Sequence, residues 1–576
     1  MQENRINTIE EVIFQARELM RLGDHKQAYK VCRKAVSSGS SHPEFLLLYG
    51  VCAYASEKSG EAIKLLRKSL RLRPGFKDSL FNLGHILLSC GHPVDAIGPL
   101  SQLVDVHPEF PGAQANLAVA FYSSGQLQAA EHACQKAIDL VPDKSQAAEL
   151  YNLLGSINRE SEFNAQSEDA FRKALQINPG YGDALANLCM MLEESAQLEA
   201  ASEASRDGIK RFSDDPRFSL VLAKCERRQG ETERAIERLS KIDLEHEVGA
   251  FQAQVYFELG RLWDRKNTAQ EAYKCFSKAN DITALNIPGD IHKTFYPKVL
   301  KASSRYYARG GVVLPENKVA SLALTPCFLI GFPRSGTTLL ELTLAGHPDI
   351  AVMEEPPLIQ ELYADITNTN LSYPMVLAQL DDERIASLRQ KYFDRAMDYT
   401  DLAGKRVLIN KHPLDTVFLP VINAVFPDAK IIFSARHPLD VCLSCWMQEF
   451  QLNAGNVNFL SLSKTAEFYA ATMDLWMHFQ CDTDMEHLIV SYEDMVDNFA
   501  ETARKATEFL GLDWSASVLD HTGTAKSLPR VNTASYYQVT EPLYVRSKNR
   551  WRKYRQYLEP ILPGLRRYVE HFNYTL

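Results

Sequence analysis

Early in this chain proline closes a helical pattern three times at one interval: Pro74 in LRLRPGF, Pro108 in DVHPEF and Pro142 in LVPDK stand 34 residues apart. A period of that length constrains the fold strongly, because so short a unit cannot bury its apolar face alone and must stack on copies of itself. Within each unit a small residue is followed twelve positions later by another: Ala16/Ala28, Gly50/Ala62, Gly84/Ala96, Ala118/Ala130, Gly155/Ser167, Cys189/Ala201, Ala223/Ala235 and Gly260/Ala272. Small side chains at both places let two antiparallel helices approach closely. The turns between them are polar or contain glycine, as in SGQLQ and RQGET.

These features resemble the tetratricopeptide repeat, a helix–turn–helix unit. The pattern is cleanest in FNLGHILLSCGHPVDAIGPL and ELGRLWDRKNTAQEAYKCFSKA, where Phe276 and Ala279 occupy positions the repeat favours, and the spacing stretches after Pro142. About eight repeats over 1–283 are expected, forming an α-solenoid whose concave groove docks an acceptor or a partner protein. The alternatives are a spacer or a dimerisation arm, with a homodimer as the further partner arrangement.

Pro288-Gly289, Gly310-Gly311 and Pro315 punctuate 284–320, as expected of a linker. Over 321–576 short runs rich in Ile, Val and Phe (CFLIGF, RVLIN, KIIFSAR, HLIVSY) alternate with helical patterns such as TTLLELTLAGH and NFAETARKATEFLG. This alternation predicts a P-loop-like α/β domain with a central parallel sheet, whose ligands sit beyond the carboxyl ends of the strands. A length of 576 residues, 45% hydrophobic and 23% charged, suits a multidomain globular chain. The net charge of −9 implies no general attraction to nucleic acid or to an anionic membrane. Eleven scattered cysteines, an odd number, argue against a secreted disulfide framework. The opening MQENRINTIEEVIFQARELM has no apolar signal-peptide core, and no run of 18 or more apolar residues follows. A cytoplasmic location is the expectation.

GFPRSGTTLL, from Gly331, has the glycine spacing of a phosphate-cradling loop, G-x-x-x-x-G-K-[ST], set between a strand and a helix. Its glycines admit backbone approach, its N–H groups point inward and the helix N-terminus adds its dipole. Thr337, however, stands where the lysine belongs, and KIIFSAR ends in Arg436 rather than in the aspartate that would hold a metal. An arginine there grips a phosphate bidentately. Both departures fit a nucleotide with a phosphate remote from the transferred group and handled without metal, such as 3′-phosphoadenosine-5′-phosphosulfate. PRSGTTLLE resembles the 5′-phosphosulfate loop of sulfotransferases, and SARHPLDVCLSCW their 3′-phosphate element. Within that family the chain is most similar to the tyrosylprotein sulfotransferase branch, through Pro-Arg at the loop, the Glu pair of AGHPDIAVMEEP, INKHP, and SYYQV with a later RW.

The resemblance implies that Arg334, Ser335, Gly336, Thr337 and Thr338 cradle the 5′-phosphosulfate, with Arg334 also reaching the sulfuryl oxygens. Glu355 matches the general base; its plain alternative is an exposed or helix-capping glutamate, which Glu354 fits equally. His412 is the rival base, because small-molecule sulfotransferases use a histidine in Lys-x-His, but here Lys411 and His412 are adjacent. Lys411 stabilises charge on the bridging oxygen at the leaving phosphate. Arg436 and Ser444 bind the 3′-phosphate, with Gln448 where the branch carries a further arginine; Tyr492 contacts the donor, and Ser535 and Arg550 match the Ser and Lys of its late segment. That segment lies in a basic stretch, Lys526 to Arg567, with ten Lys/Arg against Glu541 and Glu559, read as a lid over a polyanion. Cys442-x-x-Cys445 has no second pair, so neither zinc nor redox chemistry is assigned to it, and no metal is expected.

The expected activity is transfer of a sulfuryl group to an acceptor hydroxyl, protein or peptide tyrosine first and a carbohydrate or small molecule second. From another class, a kinase or NTPase with a degenerate loop would depend on magnesium. An inactive scaffold would lack Glu355, Lys411 or Arg436, and all three are present.

Overall fold

A computed structural model describes residues 8–576 except 37–40, 142–144, 146, 162–163, 290, 308–323, 369–370 and 528–546. Pro142, Gly310-Gly311, Pro315 and Ser535 therefore lie outside the described residues. The chain forms two compact units, 1–231 and 232–576.

The first unit is a helical-repeat solenoid. Ile9–Arg21 pairs with His25–Lys34, Pro43–Ala55 with Ser59–Leu72, Lys77–Ser89 with Pro93–Val106, and Pro111–Ser123 with Leu127–Leu140. Ala148–Glu160 then pairs with Asn164–Ile177 and Gly182–Glu194 with Leu198–Arg211, ahead of Arg217–Arg228. Proline opens three of these helices, at Pro43, Pro93 and Pro111, where its missing N–H would have had no intrahelical acceptor. The residues spaced by twelve sit where paired helices touch: Ala16, Ala28, Ala62, Ala96, Ala118, Ala130 and Ala201 are wholly buried. A Cβ on Gly84 would lie 2.5 Å from Leu100, and one on Gly155 2.6 Å from Phe171.

The second unit begins with Thr232–Leu239, Gly249–Arg265 and Ala269–Leu285. The last two are the pair that the periodicity groups with the repeats, yet Phe257, Phe276 and Ala279 join the core of this unit. Phe295–Tyr307, inside the stretch expected to be a linker, is a helix whose Tyr296, Val299 and Leu300 are buried in the same core. Five strands follow: β1 (Thr325–Gly331), β2 (Ile350–Glu354), β3 (Val407–Lys411), β4 (Lys430–Ala435) and β5 (His487–Ser491). They are all parallel, in the order β2-β3-β1-β4-β5.

Phe328 and Ile330 of β1 face a core shared with Leu462–Asp482, while Cys327 and Leu329 face one shared with Thr337–Ala345 and Phe499–Phe509. Burial on both faces is why the strand sequences read as continuous apolar runs. The chain leaves β1 toward β2 on one side and returns to β4 on the other, so the crevice falls at the carboxyl end of β1. There Gly331 pairs with Ser434 and Leu329 with Lys411. Among the described residues no helix is long and apolar enough to cross a membrane.

Gly155→Leu should lower the stability of the first unit by ~1–3 kcal/mol, because the new side chain must displace the buried Phe171 ring. The urea midpoint of the helical circular-dichroism signal reads this, and an unchanged midpoint would contradict the close-packed contact.

Candidate active site

The turn after β1 is fixed by contact with its neighbours. A Cβ on Gly331 would lie 2.5 Å from the Ser434 carbonyl oxygen. Thr416 Oγ1 accepts from the Gly331 N–H at 3.0 Å and donates to the Gly331 carbonyl at 2.7 Å. Arg334 then adopts φ +71°, a left-handed conformation that costs an L-residue ~1–2 kcal/mol. Gly336, at φ +103°, must be glycine, because a Cβ would meet the Tyr492 ring at 2.9 Å. The helix Thr337–Ala345 starts immediately, and the N–H groups of a first helical turn have no intrahelical acceptor. Ser335 is fully buried; its carbonyl accepts from Ser434 Oγ at 3.0 Å, while its own Oγ has no hydrogen-bond partner among the described residues.

Arg436, just past β4, donates from Nη1 to the Arg334 carbonyl at 2.9 Å and from Nη2 to the Ser547 carbonyl at 2.6 Å. Its guanidinium lies over the Tyr492 ring, 4.7 Å from the centroid. Its buried Nε lacks a hydrogen-bond partner among the described residues. Ser444, on the helix Pro438–Trp446, accepts from Arg334 Nε at 3.1 Å, so Arg334 joins the loop to the element expected to bind the remote phosphate. Arg334, Ser335, Arg436, Ser444 and Tyr492 thus come together, with Thr337 and Thr338 buried at the adjoining helix start. Cys442 and Cys445 are buried free thiols, pushed up by burial, and Cys445 donates to the Pro333 carbonyl at 3.1 Å beneath the loop. The Gln448 side chain donates to the Glu449 carbonyl.

Across β1, the end of β3 carries a charge cluster. Lys411 is fully buried, with Nζ 2.9 Å from Glu355, 3.1 Å from Glu341 and 3.7 Å from Glu354. Glu355 continues the β2 register through its N–H to the Lys411 carbonyl at 2.7 Å, then turns away at φ +47°. Burial opposes ionisation of Glu355, but the charges of Lys411 and then His412 outweigh it and hold its carboxyl below the usual value. Glu341, on the loop helix, goes the other way. Burial, with the charge of Glu354 adding and that of Lys411 opposing, pushes it up to about 8.

His412 is held by neighbours: its Nε2 lies 3.2 Å from the Gln360 amide nitrogen and its Nδ1 3.3 Å from Asp415. Buried Asp415 is itself raised to about 6 by its burial.

Arg550, expected to contact the donor, pairs with Asp264. Its Nη2 lies 2.8 Å from Asp264 and its Nε donates to the same carboxylate at 3.2 Å. Three more cations of the stretch are tied down: Lys548 to Asp497, Lys553 to Asn267 and Arg567 to Asp474. Sequence reasoning passed over Thr416, Glu341, Asp440 and Asp264. Only Glu341 carried a signal, a lone carboxylate inside the apolar run LLELTL.

Fold and site define a parallel α/β domain with a tightly held glycine loop at its switch point and a buried lysine–carboxylate cluster beside it. Residues 326–516 match the Sulfotransferase family, and residues 15–75, 81–145 and 148–181 match Tetratricopeptide repeat families. The chain thus carries a sulfotransferase-family domain together with tetratricopeptide repeats. It is 26% identical over 452 residues to an uncharacterized protein of Aquifex aeolicus (strain VF5), covering 74% of this chain and 56% of that one. It is 35% identical over 130 residues to the nodulation protein NoeE of Sinorhizobium fredii, covering 20% and 30%. With the protein-tyrosine sulfotransferase of Drosophila melanogaster it shares 26% identity over 242 residues, 39% of this chain and 46% of that one. The chain therefore spans about half, or less, of the length of these relatives.

The Glu341 shift has a testable sign. Its carboxyl sits above the ordinary 4.5, so the stability it confers is complete below that value and is lost as pH rises through about 8. Between about pH 6 and about pH 9 the urea midpoint of the wild type should fall further than that of Glu341→Gln, which has no proton to lose. Equal slopes would show that Glu341 is already ionised.

Proposed function

We propose that the second unit transfers a sulfuryl group from 3′-phosphoadenosine-5′-phosphosulfate to an acceptor hydroxyl, with protein or peptide tyrosine as the acceptor and the repeats recruiting acceptor or partner. The observation that carries this reading is the pair of buried donors without a hydrogen-bond partner among the described residues, Ser335 Oγ and Arg436 Nε. Each such group costs ~1–3 kcal/mol while unsatisfied, and an anionic ligand offsets both. The sulfotransferase-family match supports the reaction class, and the protein-tyrosine sulfotransferase relatives support the acceptor.

The donor supplies an activated sulfuryl group, less negatively charged than a phosphoryl group and so less dependent on a metal. The loop from Arg334 to Thr338 holds its 5′ end with main-chain N–H groups and the Ser335 hydroxyl. Arg436 and Ser444 hold the remote phosphate, with the guanidinium of Arg436 over the Tyr492 ring. Glu355, kept ionised by Lys411, accepts the proton of the acceptor hydroxyl as its oxygen attacks sulfur. Lys411 keeps its charge although buried, because burial is outweighed by the carboxylates around it, Glu355 and Glu354 among them, and it offers that charge to the oxygen of the departing nucleotide. His412 is the weaker candidate base, since its ring already lies between Gln360 and Asp415.

Calorimetry should show adenosine 3′,5′-bisphosphate binding to the wild type and binding at least about tenfold weaker to Arg436→Ala, the loss of a charge-assisted pair. With labelled donor and tyrosine peptides, Glu355→Ala should cut turnover by ~10²–10⁴ while His412→Ala keeps most of it. Failure of the bisphosphate to bind the wild type would overturn the reading.

A further inference from the structure

The helical pair Gly249–Arg265 and Ala269–Leu285 reads from sequence as the last repeat, and a terminal repeat ordinarily turns a polar face to water. Here that face is committed. Asp264 takes two hydrogen-bonding groups of the late segment on one oxygen, Arg550 Nε at 3.2 Å and the Tyr554 hydroxyl at 2.7 Å, and Arg550 Nη2 on the other at 2.8 Å. Buried Asn280 donates at 2.9 Å to the carbonyl of Trp446, the last residue of the helix that carries Ser444. Arg261 spans Glu258 and Glu449, 3.2 Å from each. Tyr273 stacks on Tyr557 with centroids 4.0 Å apart and planes 8° apart.

The other side of the late segment reaches the site itself. Asp440, on the Ser444 helix, accepts from the Asn549 N–H at 2.8 Å and the Trp551 N–H at 2.7 Å. Three residues before Arg550, the Ser547 carbonyl takes Arg436 Nη2. A continuous set of contacts therefore runs from Asp264 through Arg550 and its neighbours to the guanidinium of Arg436. A second, shorter set runs from Asn280 to the helix of Ser444.

We propose that this helical pair is part of the donor site, with Asp264 and Asn280 as positioning residues that set the grip of Arg436 and Ser444 on the remote phosphate of the donor nucleotide. The inference rests on the proposed function for what Arg436 and Ser444 hold. It gives Arg550 the role of a tie between the pair and residues 547–551, in place of direct contact with the nucleotide. Releasing Asp264 loosens the backbone that presents the Ser547 carbonyl, so Arg436 keeps its charge but loses its orientation.

The full-length chain tests this by calorimetry with two ligands, adenosine 3′,5′-bisphosphate and adenosine 5′-monophosphate. Their affinity ratio in the wild type is the contribution of the 3′-phosphate. Asp264→Ala and Asn280→Ala should each reduce that ratio by about fivefold, the loss of one oriented hydrogen bond, while monophosphate affinity stays within about twofold. Asp264→Asn, which keeps an acceptor, should fall between wild type and Asp264→Ala. An unchanged ratio in both alanine variants overturns the proposal. So does a parallel loss of both ligands, which marks general destabilisation. Tighter bisphosphate binding by Asp264→Ala also overturns it, because Asp264 would then be withholding Arg550 from the nucleotide. A wild type with no 3′-phosphate contribution sinks the functional reading itself, before any variant is compared.

Discussion

At the carboxyl end of β1 two backbones pass so closely that no side chain fits between them. The Ser434 carbonyl of β4 occupies the space a Cβ at Gly331 would need, and Thr416 satisfies both polar groups of the same glycine. That contact sets the angle at which the chain enters the loop. Arg334 is thereby driven into a left-handed conformation, and its carbonyl is presented to Arg436. Gly336 must then tuck under the Tyr492 ring before the helix can begin. A looser turn would leave the loop amides, the arginine and the tyrosine as separate surface features.

The second organising element is the fully buried ammonium of Lys411. A buried cation is tolerated only when counter-charges surround it, and three carboxylates within reach are more than one ammonium needs. The excess is relieved on Glu341, the most deeply placed of them, whose carboxyl holds its proton to about pH 8. Glu355, on the exposed side of the cluster, stays ionised. Burial at Glu341 and the charge of Lys411 at Glu355 therefore push two chemically identical side chains in opposite directions.

Much of the frame was legible in sequence. The helical pairs of the first unit follow from small residues paired twelve positions apart within each unit, and four of the five described strands are the short Ile/Val/Phe runs. The edge strand β2 was not recognised. IAVME is short, and its apolar run ends at once in the Glu354-Glu355-Pro356 turn. Phe295–Tyr307 was read as connector because Pro288-Gly289 precedes it, although its Tyr296, Val299 and Leu300 face the core. Propensity marks where a segment can bend, whereas burial depends on what packs against it.

The sequence alone determined the repeat period and the strand–loop–helix context of the anion loop, because both are patterns within a few dozen residues of chain and steric rules act on neighbours. Tertiary structure alone decided which charges meet. Arg550 lies on Asp264, 286 residues away in sequence, and Lys411 on Glu341; no local pattern foretells either pairing. An exposed lysine or arginine gains little from any one partner. Desolvation in a packed interior makes an unpaired charge too costly to keep, and only the folded chain determines which opposite charge is within reach.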